Sequence, residues 1–135
     1  MFVTLQCLMF DLAARSVTCA SAGHHGAVRI VPGEPPGLVF TSSGRVLGLM
    51  PSEDVASETL PLKTGETLVL FTDGVSEAFN VDDELFGEHR LLDQLQSANG
   101  HSAQQTTLGV LDAVRRHAGT AKQSDDITVV TVRYS

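Results

Sequence analysis

The stretch from Thr67 to Glu77 constrains the fold most, because a short apolar run in it ends abruptly at an acidic residue. The run itself is Leu68-Val69-Leu70-Phe71, and Asp73-Gly74 follow it closely. Such a pattern is typical of a strand buried on both faces that ends in a tight turn. One interpretation is a turn that only terminates the strand. The other is a functional carboxylate, Asp73, held at the end of a rigid element, with Gly74 allowing the chain to turn sharply.

A second acidic turn near the carboxyl terminus favours the functional interpretation. Asp125 and Asp126 stand just before a β-branched strand pattern, Ile127 to Val132. If the two strands pair antiparallel, the end of the first meets the start of the second at one sheet edge. Carboxylates brought together repel unless a cation or proton lies between them. Hard oxygen ligands favour Mg²⁺ or Mn²⁺ over zinc, so the sequence predicts a metal site there.

Composition excludes several other classes of protein. The chain has 135 residues, 42% of them hydrophobic and 19% charged, which is typical of one globular domain or part of one. Its net charge of −7 comes without any cluster of Lys and Arg, so neither nucleic acid nor an anionic membrane is an expected partner. The sequence shows neither a membrane-spanning apolar run nor a leader pattern. We therefore expect a cytoplasmic protein, and a homodimer stays open.

The amino-terminal part is rich in strand patterns. Met1 to Phe10 is almost wholly apolar and predicts a central strand, while Ser16 to Ala22 predicts a half-buried strand that forms a hairpin with it. Ala27 to Val31 and Val55 to Leu62 predict two further strands. The two cysteines, Cys7 and Cys19, fall in the first two strands. We expect both to be buried and reduced, with a disulfide as the alternative.

Two further segments contain residues that could bind a metal. His24 and His25 stand between glycines, which suggests a metal ligand or an acid–base group. The favoured alternative is a loop whose histidines bond locally, and His24 is kept as a further candidate. The acidic stretch from Asn80 to Glu84 could supply an extra ligand, although a solvated loop is the better interpretation.

The remaining patterns are helical and come late in the chain. Glu88 to Ser97 places leucines on one face, and Asn99-Gly100 is expected to end this helix. Ser102 and Gln105 form a capping box for a second helix, which Gly119 is expected to end. Helices that follow a mainly antiparallel sheet predict an α+β fold, with an antiparallel helix pair covering one face.

Four motifs together resemble a known family. Leu68 to Ala78, with its Thr-Asp-Gly and Glu-Ala, resembles the corresponding segment of the bacterial SpoIIE- and RsbU-type phosphatases. These form a branch of the PPM (type-2C) metal-dependent serine/threonine phosphatases. Phe86 to Leu91 is similar to the Phe-Gly-Glu-x-Arg-Leu start of a helix in this family. Ser124 to Thr128 is similar to the family's Asp-Asp-apolar-Thr strand, and Ser21 to His24 matches its Ala-Gly-His. The order and spacing of all four also agree.

The resemblance implies a function and a larger fold. It implies a four-layer α-β-β-α sandwich and a binuclear Mn²⁺ or Mg²⁺ site that activates water for attack on phosphoserine or phosphothreonine. By position, Asp73 and Asp125 would be metal ligands. Gly74 and Asp126 would support these ligands from beside them, and Asp126 is also a possible ligand itself. The implied substrate is a phosphorylated regulatory protein of the anti-anti-sigma (STAS) type in partner-switching signalling.

The chain also departs from the family pattern. The family's remaining ligands come from an earlier strand and an Asp-x-Ser-Gly-His-Gly turn, whereas Asp73-Gly74 is the only Asp-Gly here. The Ala-Gly-His is followed by His25, where the family usually has proline. We therefore expect residues 1–135 to be one incomplete phosphatase domain, its carboxy-terminal part, with weak activity or none by itself. The alternatives are a non-catalytic module that binds a phosphoprotein or another partner, and a purely structural fragment.

Overall fold

The computed structural model describes residues 1–41, 44–50 and 55–135 of the chain. Its elements are, in chain order, β1 Leu5–Asp11, β2 Ser16–Ala22, β3 Ala27–Ile30, β4 Gly37–Val39, β5 Ala56–Pro61, β6 Thr67–Phe71, α1 Asp73–Ser76, α2 Gly87–Gln96, α3 Ala103–Ala118 and β7 Val129–Arg133. They form two compact units, residues 1–27 with 38–64 and residues 28–37 with 65–135. The predicted α+β architecture with antiparallel sheets is confirmed.

The first unit contains a three-stranded antiparallel sheet in the order β1-β2-β5. β1 and β2 pair along their whole length, from Leu5 opposite Ala22 to Asp11 opposite Ser16, so the predicted hairpin is confirmed. β2 has the predicted bounds, and its Val17 and Cys19 side chains are buried. The predicted strand Val55 to Leu62 is β5, one residue shorter at each end.

The prediction of a central strand from Met1 to Phe10 is wrong. β1 begins only at Leu5 and lies at the edge of its sheet, where it pairs with β2 alone among the described strands. Alternate residues of β1, including Leu5 and Met9, are exposed. An apolar run reports the character of the side chains but not how many neighbouring strands will pair with them, which explains the error.

Both cysteines are free, as predicted, but only one of them is buried. Cys19 faces the interior with 2% of its surface exposed, and this burial raises the pKa of its thiol. Cys7 is exposed, which contradicts the prediction for it. In the hairpin Cys7 lies opposite Ala20 and Cys19 lies opposite Leu8, so the two thiols point to opposite faces of the sheet. That geometry is the physical reason against a disulfide between them.

The second sheet has the order β4-β3-β6-β7, with β6 paired antiparallel to β3 and β7 on either side. Leu68, Val69 and Phe71 of β6 are buried, so the predicted strand with two covered faces is confirmed. At the start of β6, buried Glu66 accepts hydrogen bonds from Arg29 of β3 at 2.6 and 2.8 Å. This ion pair fixes β3 beside β6.

The helix pair covers the side of the second unit at β7. α3 begins with the predicted capping box at Ser102 and Gln105 and ends at Gly119, whose φ is 57°. It packs on α2 and on β7, where Thr107 Oγ1 donates to Thr131 Oγ1 at 2.7 Å. Its buried residues are Thr106, Val110, Ala113 and Val114, whereas Thr107, Leu111 and Ala118 are half-buried. Among the described residues, no helix combines the length and apolarity that crossing a bilayer requires.

Candidate metal centre

The pairing of β6 with β7 brings the two acidic turns to the same edge of the sheet. The last pair of the ladder is Phe71 with Val129, and the Thr72 amide then donates to the Thr128 carbonyl at 3.1 Å. Asp73 follows as the first residue of α1, and Asp125 lies four residues before β7. The antiparallel pairing predicted from the two sequence patterns is therefore confirmed.

A side chain that the sequence reasoning missed joins the two turns. The hydroxyl of Thr72 donates to the main-chain carbonyl of Asp126 at 3.1 Å and accepts from the amide of Thr128 at 3.0 Å. Because this hydroxyl occupies the place of a ladder carbonyl, β7 begins at Val129 and not at the predicted Ile127. The signal in the sequence was a hydroxyl residue directly before Asp73, at the end of a buried strand.

Gly74 is required by close packing and not by an unusual backbone angle. It is the second residue of α1, and its φ lies outside the positive range. A Cβ built on it would lie 2.9 Å from the carbonyl carbon of Asp126, closer than real Cβ atoms come, and 3.5 Å from that of Asp125. A glycine is needed at this position, as predicted, but because the two turns touch here and not because the chain turns sharply.

The three aspartates on these turns are exposed and carry uncompensated charge. Asp73 Oδ1 accepts from the Gly74 amide at 3.1 Å, and Asp125 Oδ1 accepts from the Asp126 amide at 2.7 Å. Among the described residues no Lys, Arg or His pairs with any of the three carboxylates. The second oxygen of Asp73 and of Asp125 makes no hydrogen bond within the same residues, and it is available to bind a cation.

The donor atoms fit a hard divalent ion and would fill part of its coordination shell. Carboxylate oxygens are the ligands of Mg²⁺ and Mn²⁺, and Mg²⁺ in proteins commonly keeps several waters beside one or two carboxylates. Across residues 1–41, 44–50 and 55–135, His, Cys, Asp and Glu side chains do not gather in threes. An ion held by Asp73 and Asp125 would therefore take water or oxygens from elsewhere as its other ligands.

His24 lies in the first unit, and its hydrogen bonds are local. Its Nδ1 is 3.0 Å from the carbonyl oxygen of His25, and the His25 Nδ1 is 2.9 Å from that of Gly26. Ser21 Oγ donates to the His24 carbonyl at 3.2 Å. This geometry is that of the loop interpretation, in which the histidines bond to neighbouring main chain.

The acidic stretch Asn80 to Glu84 forms a loop that is organised around Asn80. Asn80 Oδ1 accepts from the amides of Asp82 and Glu84, each at 2.9 Å. The side chains of Asp82, Asp83 and Glu84 are exposed. A solvated loop, the favoured interpretation from the sequence, describes these residues.

The amino-acid sequence matches the stage II sporulation protein E (SpoIIE) family over residues 1–135, the whole chain. The chain belongs to the SpoIIE family. The resemblance noted from its four motifs, to the SpoIIE- and RsbU-type branch of the PPM phosphatases, is confirmed. Protein IcfG of Synechocystis sp. is 31% identical over an alignment of 136 positions, which covers 98% of this chain and 20% of IcfG.

Two solved PP2C-type phosphatase domains contain the same fold. The phosphatase domain of SpoIIE from Bacillus subtilis superposes with a TM-score of 0.76 at 21% identity, covering 98% of this chain and 56% of that one. The SiaA-PP2C domain of Pseudomonas aeruginosa gives 0.78 at 24% identity, covering 93% and 49%. The fold is thus that of a PP2C-type phosphatase domain, and the chain spans about half the length of these solved chains.

Proposed function

We propose that this SpoIIE-family chain is the carboxy-terminal part of a metal-dependent protein serine/threonine phosphatase domain. In this proposal Asp73 and Asp125 bind Mn²⁺ or Mg²⁺, and Gly74 and Asp126 hold the two turns in contact. The other ligands of a binuclear site would come from a part of the domain outside residues 1–135. The protein would act in the cytoplasm.

The observation that carries the proposal is the direct contact between the two acidic turns. Thr72 hydrogen-bonds across the contact, and Gly74 lets the main chain of Asp126 approach. Carboxylates gathered without a basic partner cost free energy that a bound divalent cation removes. Two solved structures of this fold support the choice of ion. One is a manganese-presoaked form of the SpoIIE phosphatase domain, and the other is RsbX in complex with magnesium.

The chain's own residues would bind the metal and orient the reacting groups. Bound divalent metal would supply Lewis acidity, which would lower the pKa of a water bound to it and offset the negative charge of the phosphate oxygens. Asp73 would place its carboxylate from the first turn of α1, where the end of buried β6 fixes the position of its main chain. Asp125 would place its carboxylate from a turn that Thr72 ties to β6. Such fixed geometry lowers the cost of orienting the reacting groups.

The proposed substrate is phosphoserine or phosphothreonine on a regulatory protein, of the anti-anti-sigma (STAS) type. This choice rests on the family resemblance, which names a class of substrate. The competing proposal is a module that binds a phosphoprotein without turnover. Turnover and binding are separable by experiment.

Calorimetric titration with Mn²⁺ tests the metal site. We expect the chain to bind Mn²⁺ with a Kd on the order of millimolar, because the ion would keep much of its water. Asp73→Asn combined with Asp125→Asn should abolish the heat of binding. Asp82→Asn with Asp83→Asn, which removes the same charge from the exposed loop, is the matched control and should leave it unchanged.

The outcomes separate the alternatives. No Mn²⁺ heat in the wild type, or equal losses in the two double variants, would contradict the proposed metal site. Mn²⁺-dependent hydrolysis of p-nitrophenyl phosphate that Asp73→Asn abolishes would show that residues 1–135 are active by themselves, against our expectation. Binding of a phosphoserine peptide without turnover, in the protein that contains the whole domain, would select the binding module.

A further inference from the structure

A cavity of about 200 Å³ opens directly beside the two acidic turns. Its wall includes Gly74, which follows Asp73, and Ser124, which precedes Asp125. Consecutive Cα atoms are only about 3.8 Å apart, so the cavity begins one residue away from each proposed metal ligand. We call this cavity the side pocket.

The side pocket is mainly apolar and small. Ala78 and Phe79, just after α1, and Val114 and Ala118 of α3 line it together with Ile127. A cavity of roughly 150 Å³ admits benzene, whereas drug-sized ligands and cofactors occupy roughly 300–1,000 Å³. The side pocket therefore has room for one aliphatic or aromatic side chain and is too small for a cofactor.

The rim of the side pocket is basic, although the chain as a whole is acidic. Arg115 and Lys122 both line it, in a chain with a net charge of −7. Arg115 is 3.6 Å from Asp112 in an ion pair whose side chains are 74% and 59% exposed. Such a pair contributes little, so Arg115 can exchange it for a carboxylate of a ligand. Lys122 is exposed and makes no ion pair with the described residues.

We propose that the side pocket binds an apolar side chain next to the phosphorylated residue of a protein substrate, with Arg115 and Lys122 pairing with acidic residues beyond it. This proposal rests on the proposed function, since the phosphate would lie at the metal site of Asp73 and Asp125. A residue one or two positions from the phosphoserine reaches the pocket from there. The occupant is thus a peptide segment with an apolar residue and acidic flanks.

The charges on both sides of the side pocket make binding dependent on the metal. Asp73 and Asp125 repel a phosphopeptide when no cation is bound, whereas Mn²⁺ reverses that repulsion. Arg115 and Lys122 attract acidic flanks with or without the metal. Peptide binding should consequently strengthen when Mn²⁺ is added.

Fluorescence anisotropy with a labelled peptide, Gly-Glu-Leu-phosphoSer-Leu-Glu-Gly, tests the proposal in the presence of saturating Mn²⁺. A second peptide with alanine in place of both leucines is the matched probe. We expect the leucine peptide to bind about tenfold more tightly, from the burial of one leucine side chain. Ala118→Phe, at the half-buried end of α3, should fill the side pocket and abolish the preference for leucine.

Charge variants test the rim. Arg115→Glu should weaken binding of the leucine peptide several-fold. Arg116→Glu, which changes a neighbouring exposed residue outside the pocket, should have a smaller effect. Equal affinities for the two peptides, no binding of either, or a leucine preference that survives Ala118→Phe would overturn the proposal. Calorimetry of Mn²⁺ binding with the same samples distinguishes these results from failure of the metal site itself.

Discussion

Thr72 is the residue on which the geometry of the proposed metal centre depends most. Thr72 is half-buried at the first acidic turn, and its hydroxyl makes two hydrogen bonds to the second: it donates to the Asp126 carbonyl and accepts from the Thr128 amide. Within the part of the chain that the structure describes, the carboxylates of Asp73 and Asp125 accept hydrogen bonds only from the next amide in the chain. The separation of the two carboxylates therefore depends on Thr72 and on the packing of Gly74.

Thr72→Val should weaken both folding and metal binding. The methyl group keeps the size of the side chain but leaves the Asp126 carbonyl and the Thr128 amide without their partner. We expect a loss of about 1 kcal/mol in the free energy of unfolding, measured by urea denaturation. The Kd for Mn²⁺ should rise several-fold, measured by calorimetry.

Thr72→Ser is the control, because it retains the hydroxyl and should restore the affinity for Mn²⁺. A valine variant that binds Mn²⁺ as tightly as the wild type would show that Thr72 does not position the carboxylates. A serine variant as weak as the valine variant would assign the effect to lost packing.

At the scale of elements, β6 organises the second unit, and its two ends have different roles. The carboxyl end leads to Asp73, while Glu66, just before the strand, pairs with Arg29 of β3. The pairing with Glu66 raises the pKa of Arg29 above its already high ordinary value. An elevated arginine pKa gives stability that is lost only as pH rises through it, so Arg29 adds no pH dependence near neutrality.

Glu66→Gln should destabilise the protein without changing the two acidic turns. Glu66 is 1% exposed, and its charge-assisted hydrogen bonds to Arg29 would be weakened. We expect a loss of about 2 kcal/mol in the free energy of unfolding, measured by urea denaturation. Asp112→Asn breaks the exposed ion pair with Arg115 and should change the free energy of unfolding by less than about 0.5 kcal/mol. Equal effects of the two substitutions would contradict this account of β6.

The sequence predicted elements best where local chemistry decides them. The alternation of side chains predicts β2. The capping box predicts the start of α3 at Ser102, and a backbone angle that favours glycine predicts its end at Gly119. The edge position of β1 was missed because it depends on which strands lie beside it. In the candidate site, the contact between the two acidic turns followed from antiparallel pairing. The bridging by Thr72 and the side pocket were missed, because both arise only when distant segments are in contact.

At the scale of the whole molecule, the chain belongs to the SpoIIE family and spans about half of the solved domains that it resembles. Both proposed ligands and the side pocket lie in the second unit, residues 28–37 and 65–135. The central claim is therefore that this unit alone brings two acidic turns close enough to bind one divalent ion.

Paramagnetic broadening of backbone amide signals by Mn²⁺, followed by NMR at sub-stoichiometric metal, tests that claim most directly. The account predicts that the amides of Gly74, Asp125 and Asp126 broaden first and together, and that excess Mg²⁺ restores them. Broadening that begins in the loop of Asp82 and Asp83, or that affects only one of the two acidic turns, would contradict it.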